Sequence, residues 1–157
     1  MAEEKRNKTN VIVVTPYDEF YEGFVDSVTL PSQDGLVGVM AGHMPLVLAI
    51  FPGVATVKCD GEEKHFVLSE GYAEIAQHMA MIVCDSAEWP EQIDVKRCYN
   101  SYVEFTRRIK EAPKGTYKVA DWQETVNRAK VRIHLVELYG SDEQKNLLNE
   151  LRGIEKS

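Results

Sequence analysis

An antiparallel β-sandwich or flattened barrel, followed by a helical hairpin, is the fold the sequence predicts, and three observations predict it. Between residues 10 and 84 short segments rich in Val, Ile and Thr recur at nearly even spacing, separated by turn residues. Asp60-Gly61 stands between two of these segments, and a type I′ hairpin turn needs φ > 0 at both central positions. Beyond Asp85 the apolar period changes from two to about 3.6. Many short strands with regular turns bury their faces best as two packed sheets.

The strands are read in order. Residues 10–15, closed by Pro16, are β-branched enough for a strand buried on both faces or at a sandwich edge. Residues 24–30 read as one strand with Phe24, Val28 and Leu30 turned inward and Asp26 as the exception on the apolar register. Residues 30–46 pack three Gly and two Pro between apolar segments, so Asp34-Gly35 and Ala41-Gly42-His43-Met44-Pro45 are tight corners where short strands meet. Strands at 53–59, 64–69, 72–77 and 79–84 complete a sandwich domain over 10–86, after a flexible N-terminus at 1–9.

Glu88-Trp89-Pro90-Glu91-Gln92 then places Pro and acids where a helix N-terminus favours them. A first helix is expected over 93–110, with Val95, Cys98, Tyr99, Tyr102, Thr106 and Ile109 as its apolar stripe. Pro113 and Gly115 end it. Asp121 to Glu124 is the expected cap of a second helix, whose stripe of Trp122, Val126, Ala129, Ile133 and Val136 stops before Gly140. The hairpin thus spans 87–140. In the extension 141–157, Ser141 to Gln144 has the form of a cap for a short third helix with Leu147, Leu151 and Ile154 on one side. So short a helix is marginal alone, so it docks or stays partly disordered.

A chain of 157 residues with 44% hydrophobic residues builds a real core. No apolar run approaches the roughly 20 residues that span a bilayer, so membrane association is expected only through a partner. The first eight residues have no apolar core and include two acids, unlike a secretory signal, and a bacterial cytoplasmic product is expected. Charge is divided unevenly. Residues 1–84 carry 5 basic and 12 acidic side chains, net −7, whereas residues 93–132 carry 10 and 5, net +5. Such surfaces select different partners, and the pI near 5.1 argues against general nucleic-acid binding.

Catalytic and metal chemistry find no support in the spacing of the reactive residues. His43, His65, His78 and His134 sit in separate segments, each without a nucleophile and orienting acid around it. No Cys-x-x-Cys, His-Glu-x-x-His or phosphate-loop pattern occurs. Cys59, Cys84 and Cys98 are odd in number, widely spaced and read as packing residues.

The stretch Leu30-Pro31-Ser32-Gln33-Asp34-Gly35 through Gly42-His43-Met44-Pro45-Leu46, with Phe51-Pro52-Gly53-Val54 and Glu70-Gly71-Tyr72-Ala73-Glu74, resembles the epsilon subunit family of the rotary F-type ATP synthase. The resemblance runs from about residue 10 to about 136. It implies a non-catalytic subunit of the central stalk, peripheral to the cytoplasmic face of a bacterial membrane. Its sandwich would join the gamma subunit to the c-ring, and its helices would inhibit ATP hydrolysis. The competing class is a free-standing β-sandwich binding module that uses the helices to dimerise, and co-purification with gamma and the catalytic subunits separates the two.

Residue by residue, the resemblance places Ser32, Gln33 and Asp34 at a loop tip facing the c-ring, and His43 with Met44 beside gamma. As a residue in its own right, His43 is equally a corner histidine that bonds local backbone. Some bacterial members of the family bind regulatory ATP in the folded hairpin, and the resemblance carries that role onto Glu88, Ile93, Asp94, Arg97, Arg128 and Arg132. No cofactor is required. Asp94 would accept from the adenine amino group, while Arg128 and Arg132, four apart on a helix, would fork onto phosphate oxygens. The alternative is that Asp94 and Arg97 form a surface ion pair. Cys98 replaces the motif's Ala, and Glu104 replaces an Arg, an exchange that opposes a triphosphate. Inhibitory contact with an acidic loop of the catalytic beta subunits is implied for Arg128, Lys130 and Arg132.

Overall fold

A computed structural model describes residues 7–157 of the chain. The backbone divides into two compact units, one ending at Glu88 and one running from Trp89 to Ser157.

The first unit is a β-sandwich of two five-stranded sheets. One sheet has the order β2 (Glu19–Val25), β1 (Thr9–Val14), β9 (Met79–Cys84), β8 (Gly71–Ala76), β5 (Leu46–Ile50). The other is ordered β10 (Ala87–Glu88), β7 (Glu62–Leu68), β6 (Gly53–Cys59), β3 (Ser27–Ser32), β4 (Gly35–Met40). Pairing is antiparallel, as expected, with one exception: β1 and β9 run parallel. Val11, Val13, Val28, Leu30, Phe66, Leu68, Ala73 and Ile82 are fully buried between the sheets. Asp60 and Gly61 both adopt positive φ, 53° and 83°, and close the β6–β7 hairpin as the sequence predicts.

The expected strand at 24–30 is in fact two. The chain leaves one sheet after Val25 and enters the other at Ser27, and Asp26 is the crossing residue. The crossing flips the parity of the pleat: Val25, Val28 and Leu30 are buried, whereas Phe24 is 44% exposed. Asp26 also secures the corner, since its amide donates to the Lys58 carbonyl at 2.8 Å and its carboxylate accepts from the Asp60 amide at 2.7 Å. The expected flexible start at 1–9 lies outside the described residues as far as residue 6; Thr9 already opens β1, and Lys8 bonds the Asp60 carboxylate at 2.8 Å.

Two glycines of the sandwich are fixed by close neighbours, Gly71 by backbone and Gly53 by a proline ring. A Cβ on Gly71 would lie 2.0 Å from the Val83 carbonyl oxygen, and one on Gly53 would lie 2.4 Å from the Pro31 ring. Neither position has room for any side chain.

In the second unit, a single 3-10 turn at Pro90–Gln92 precedes α1 (Val95–Glu111), followed by α2 (Val119–Tyr139) and α3 (Asp142–Lys156). Helix α1 therefore starts two residues later than expected, because Pro90 and the acids serve the 3-10 turn and Asp94 becomes the cap. Helix α2 begins with Lys118 as its cap rather than at 121–124; Asp121 instead lies in the first turn, where a carboxylate suits the helix dipole. Val95, Cys98 and Tyr99 of α1 and Val126, Ala129, Ile133, Leu135 and Val136 of α2 are buried. Leu135 lies off the expected stripe. Ser141 and Gln144 form the reciprocal cap that starts α3, and the helix docks through Leu148. The expected Leu147 and Ile154 are exposed, so the docked face is rotated from the one the pattern suggested.

Candidate docking surface and hairpin cluster

In the sandwich, the sheet edges β4 and β5 lie on the same flank, joined by the corner at 41–45 and tied by the Phe51 amide donating to the Pro31 carbonyl at 3.1 Å. Each edge carries large apolar side chains in water: Leu36 is 69% exposed and Met40 62% on β4, Met44 78% at the corner, and Val47 72% on β5. Polar edge residues are the usual protection against edge pairing, and this flank does without them. An apolar strip of this kind marks a surface that another molecule covers. Burying one such side chain completely is worth about 1.5–3 kcal/mol, so a few suffice to hold a partner.

The residues assigned to contact by resemblance lie along that flank. Ser32 closes the β3–β4 turn through its hydroxyl, which donates to the Gly35 carbonyl at 2.8 Å, leaving Gln33 and Asp34 exposed at the tip. Gly42, at φ 84°, lets its amide reach the Gln77 carbonyl at 2.6 Å. The next residue, His43, turns Nδ1 to the Met44 carbonyl at 2.7 Å; a carbonyl can only accept, so Nδ1 carries the proton. This is the local backbone bond of a corner histidine, and the neighbouring Met44 is exposed. Leu36, Met40 and Val47 were not singled out in the sequence. Their signal was available, as apolar residues on the outward register of strands next to glycine corners.

In the helical unit the structure separates the other group of residues. The Asp94 carboxylate accepts from the Arg97 amide at 3.0 Å, so it caps α1 instead of pairing with the Arg97 guanidinium. Ile93 is buried. Glu88 belongs to β10 in the sandwich unit. The Cys98 thiol donates to the Ala129 carbonyl at 3.6 Å, which sets Arg97 and Arg128 at one level of the hairpin. Arg132 donates from Nη1 to the Arg128 carbonyl at 3.4 Å, consistent with a shared face four residues apart. Lys130 faces elsewhere, lining a cavity of about 530 Å³ together with Tyr99, Tyr102, Arg152 and Lys156. The three basic residues of α2 thus serve two faces. Glu104 is paired with Arg108, which takes up part of the charge that opposes an anion.

The cysteines differ in kind. Burial pushes the Cys84 thiol up to about 11, keeping it protonated and inert, and Cys98 is likewise buried. Cys59 is only half-buried, and with Asp26 and Asp60 it forms a group whose ligand atoms all lie within 4.8 Å of one another. Lys8 already answers that charge: its ammonium lies 2.8 Å from Asp60 and 3.4 Å from the Cys59 sulfur. No helix among the described residues is long and apolar enough to cross a membrane.

Comparison with known proteins gives a consistent result. The family model described as the β-sandwich domain of the ATP synthase delta/epsilon chain matches residues 8–90. The ATP synthase epsilon chain of Clostridium kluyveri is 34% identical over 125 residues, covering 79% of this chain and 93% of that protein. That of Clostridium novyi is 32% identical over 125 residues, covering 79% and 94%. Among solved structures, a chain in the Euglena gracilis mitochondrial ATP synthase, OSCP/F1/c-ring in rotational state 1, shares the fold with a TM-score of 0.72 at 17% identity, over 82% of this chain and 81% of that one.

Proposed function

This chain belongs to the ATP synthase epsilon-chain family, and from that membership we propose that it is a non-catalytic central-stalk subunit joining gamma to the c-ring. The observation that carries the reading is the exposed apolar flank of β4 and β5, with Leu36, Met40, Met44 and Val47 beside the 41–45 corner. Gamma covers that flank, and the polar tip at Ser32, Gln33 and Asp34 meets the c-ring. Membrane association is then peripheral, through the complex, at the cytoplasmic face of a bacterial membrane. The helical hairpin inhibits ATP hydrolysis by leaving its folded arrangement for an acidic surface of the catalytic beta subunits, a two-state element of the kind an inhibitor needs.

Regulatory ATP is a second reading, favoured by Arg97 and Arg128 at one level of the hairpin and Arg132 one turn further along α2. With Asp94 occupied as a cap and Glu104 present, binding is weak, and Arg128→Ala weakens it further. Calorimetry showing tight binding unaffected by Arg128→Ala would exclude this site.

The deciding experiment is co-purification of the tagged chain from its own cells. The intact chain should bring down gamma and the catalytic subunits, and Met40→Asp with Val47→Asp should abolish that while the chain stays folded by circular dichroism. Recovery of the intact chain alone would favour the free-standing module. Retention of gamma by the double variant would place the contact elsewhere on the sandwich.

A further inference from the structure

We infer that α3 is a clasp that keeps the α1–α2 hairpin closed, so that the hairpin opens only after α3 has let go. The inference rests on the reading of the hairpin as an element that opens, and adds the part of this chain that holds it shut.

Helix α3 is tied at both ends and in the middle, to different partners. At its start, the Gln144 side chain donates from Nε2 to the Pro90 carbonyl at 2.8 Å and the Ile93 carbonyl at 3.2 Å, while its Oε1 accepts from the Ser141 amide at 3.0 Å. One amide therefore caps α3 and grips the segment leading into α1. Midway, Leu148 is buried at 2% exposure, although Leu147 beside it is exposed. At its far end the helix divides between the two arms of the hairpin. The Tyr99 hydroxyl of α1 donates to the Glu155 carboxylate, and Arg152 donates to Glu137 of α2. Tyr99 is itself buried, so its hydroxyl needs the partner that α3 supplies.

These ties reach the entry to α1, the second turn of α1 and the last turns of α2. If α2 moved away from α1, α3 would follow one arm or the other, and either choice breaks a bond. Moving with α2 strands the Tyr99 hydroxyl and releases Pro90 and Ile93; staying on α1 breaks Arg152 from Glu137. Because α3 is joined to α2 through only Gly140 and Ser141, it cannot remain bridged across an opened hairpin. The clasp makes opening a concerted event, which is the behaviour of a switch and not of a hinge.

Hydrogen exchange on the full chain tests this, with Leu148→Asp to release α3 and Leu147→Asp as the exposed control of equal charge. We expect Leu148→Asp to lower protection of α1 and α2 amides by about tenfold or more along with that of α3, and Leu147→Asp to leave all three unchanged. Loss of α3 protection with α1 and α2 unaffected would overturn the clasp, as would an α3 that stays protected. Should Leu148→Asp unfold the whole unit, Tyr99→Phe with Glu155→Gln decides, since it removes only the far tie: a folded chain with faster exchange in both arms supports the clasp, and slow exchange in both overturns it. The result stands apart from inhibition. A variant whose hairpin opens by exchange but whose assembled enzyme hydrolyses ATP at the intact rate keeps the clasp and overturns the inhibitory reading.

Discussion

The sandwich and the helical unit are held together by different physics. Of the twelve large side chains with almost no exposure among the described residues, ten, from Phe66 and Leu30 to Val39, belong to the sandwich and two, Leu135 and Leu148, to the helices. At Gly71 the sandwich also has a backbone contact, 2.0 Å from a Cβ built there, that leaves room for Gly alone. The helical unit relies on a thinner core and on polar ties, at Gln144 and Arg152 toward its surface and at the buried Tyr99. A part that transmits contact is dense and steric. A unit joined by polar ties opens locally at lower cost than one closed by steric packing.

That contrast is broken most severely at Gly71. A methyl there meets the Val83 carbonyl at 2.0 Å, in backbone that no rotamer change relieves, so Gly71→Ala should cost on the order of 3 kcal/mol, the upper end of overpacking. Chemical unfolding followed by far-ultraviolet circular dichroism measures it. A loss under about 1 kcal/mol would mean the β8–β9 pair is plastic, and the contrast would fail on its strongest side.

Both tryptophans, Trp89 and Trp122, belong to the helical unit, so fluorescence follows that unit. Arg152→Ala should shift the fluorescence transition by ~0.2–1 kcal/mol, since Arg152 and Glu137 remain partly exposed, and moderate salt should shrink the difference. The transition of the sandwich should not move. A salt-insensitive Arg152→Ala effect would show that the arginine acts through packing of its stem.

Charge reversal sharpens the same contrast in function. Arg128→Glu with Arg132→Glu should raise ATP hydrolysis by the assembled enzyme, as should deletion of the residues after Ala87, with synthesis still coupled. Lys130→Glu should do less, because Lys130 opens onto the cavity rather than the face of the two arginines. An effect of Lys130→Glu about half that of the double variant, in proportion to the charge reversed, would mean that net charge, and not a face, makes the contact. Hydrolysis at the intact rate in the deleted enzyme, at low and moderate salt alike, would leave the hairpin without an inhibitory role.

Legibility in the sequence followed the same division. Strands β6 and β9 match the expected spans because alternation along a half-buried strand leaves its pattern in the residues. Strand β2 escaped because it lies at a sheet edge and buries only Val25, so EFYEGFV has no clean period. The merged strand at 24–30 shows a deeper limit: a chain that changes sheets flips its parity, and Asp26 looked like an exception where it was the corner. Helix α3 was legible in its Ser141 and Gln144 cap, yet its docked face was not, since one buried Leu148 outweighs a stripe. Ties such as Tyr99 to Glu155 join residues 56 apart, and no local pattern announces them.

The smallest expected effect lies at Lys8, where the sandwich has a polar tie of the kind that otherwise belongs to the helices. The hydrogen bond from Lys8 holds the Asp60 carboxyl below its usual value, helped by the Cys59 thiol, and the same bond pushes the Lys8 ammonium above its own. For a carboxyl so lowered, the stabilisation is present above the ordinary Asp value of about 4 and is lost as pH falls through the lowered one. For the raised ammonium it is complete below the ordinary Lys value of about 10.4 and is lost only as pH climbs through the raised one. The pair therefore contributes evenly from about pH 5 to 9 and fades on either side. Lys8→Met should lower the thermal midpoint by on the order of a degree across that window, with the difference from the intact chain closing in acid. The difference should also fall with salt, because Asp60 is exposed. A Lys8→Met deficit that persists unchanged at pH 2 would assign the effect to the lysine stem covering Cys59, and the sandwich would then be steric even at its rim.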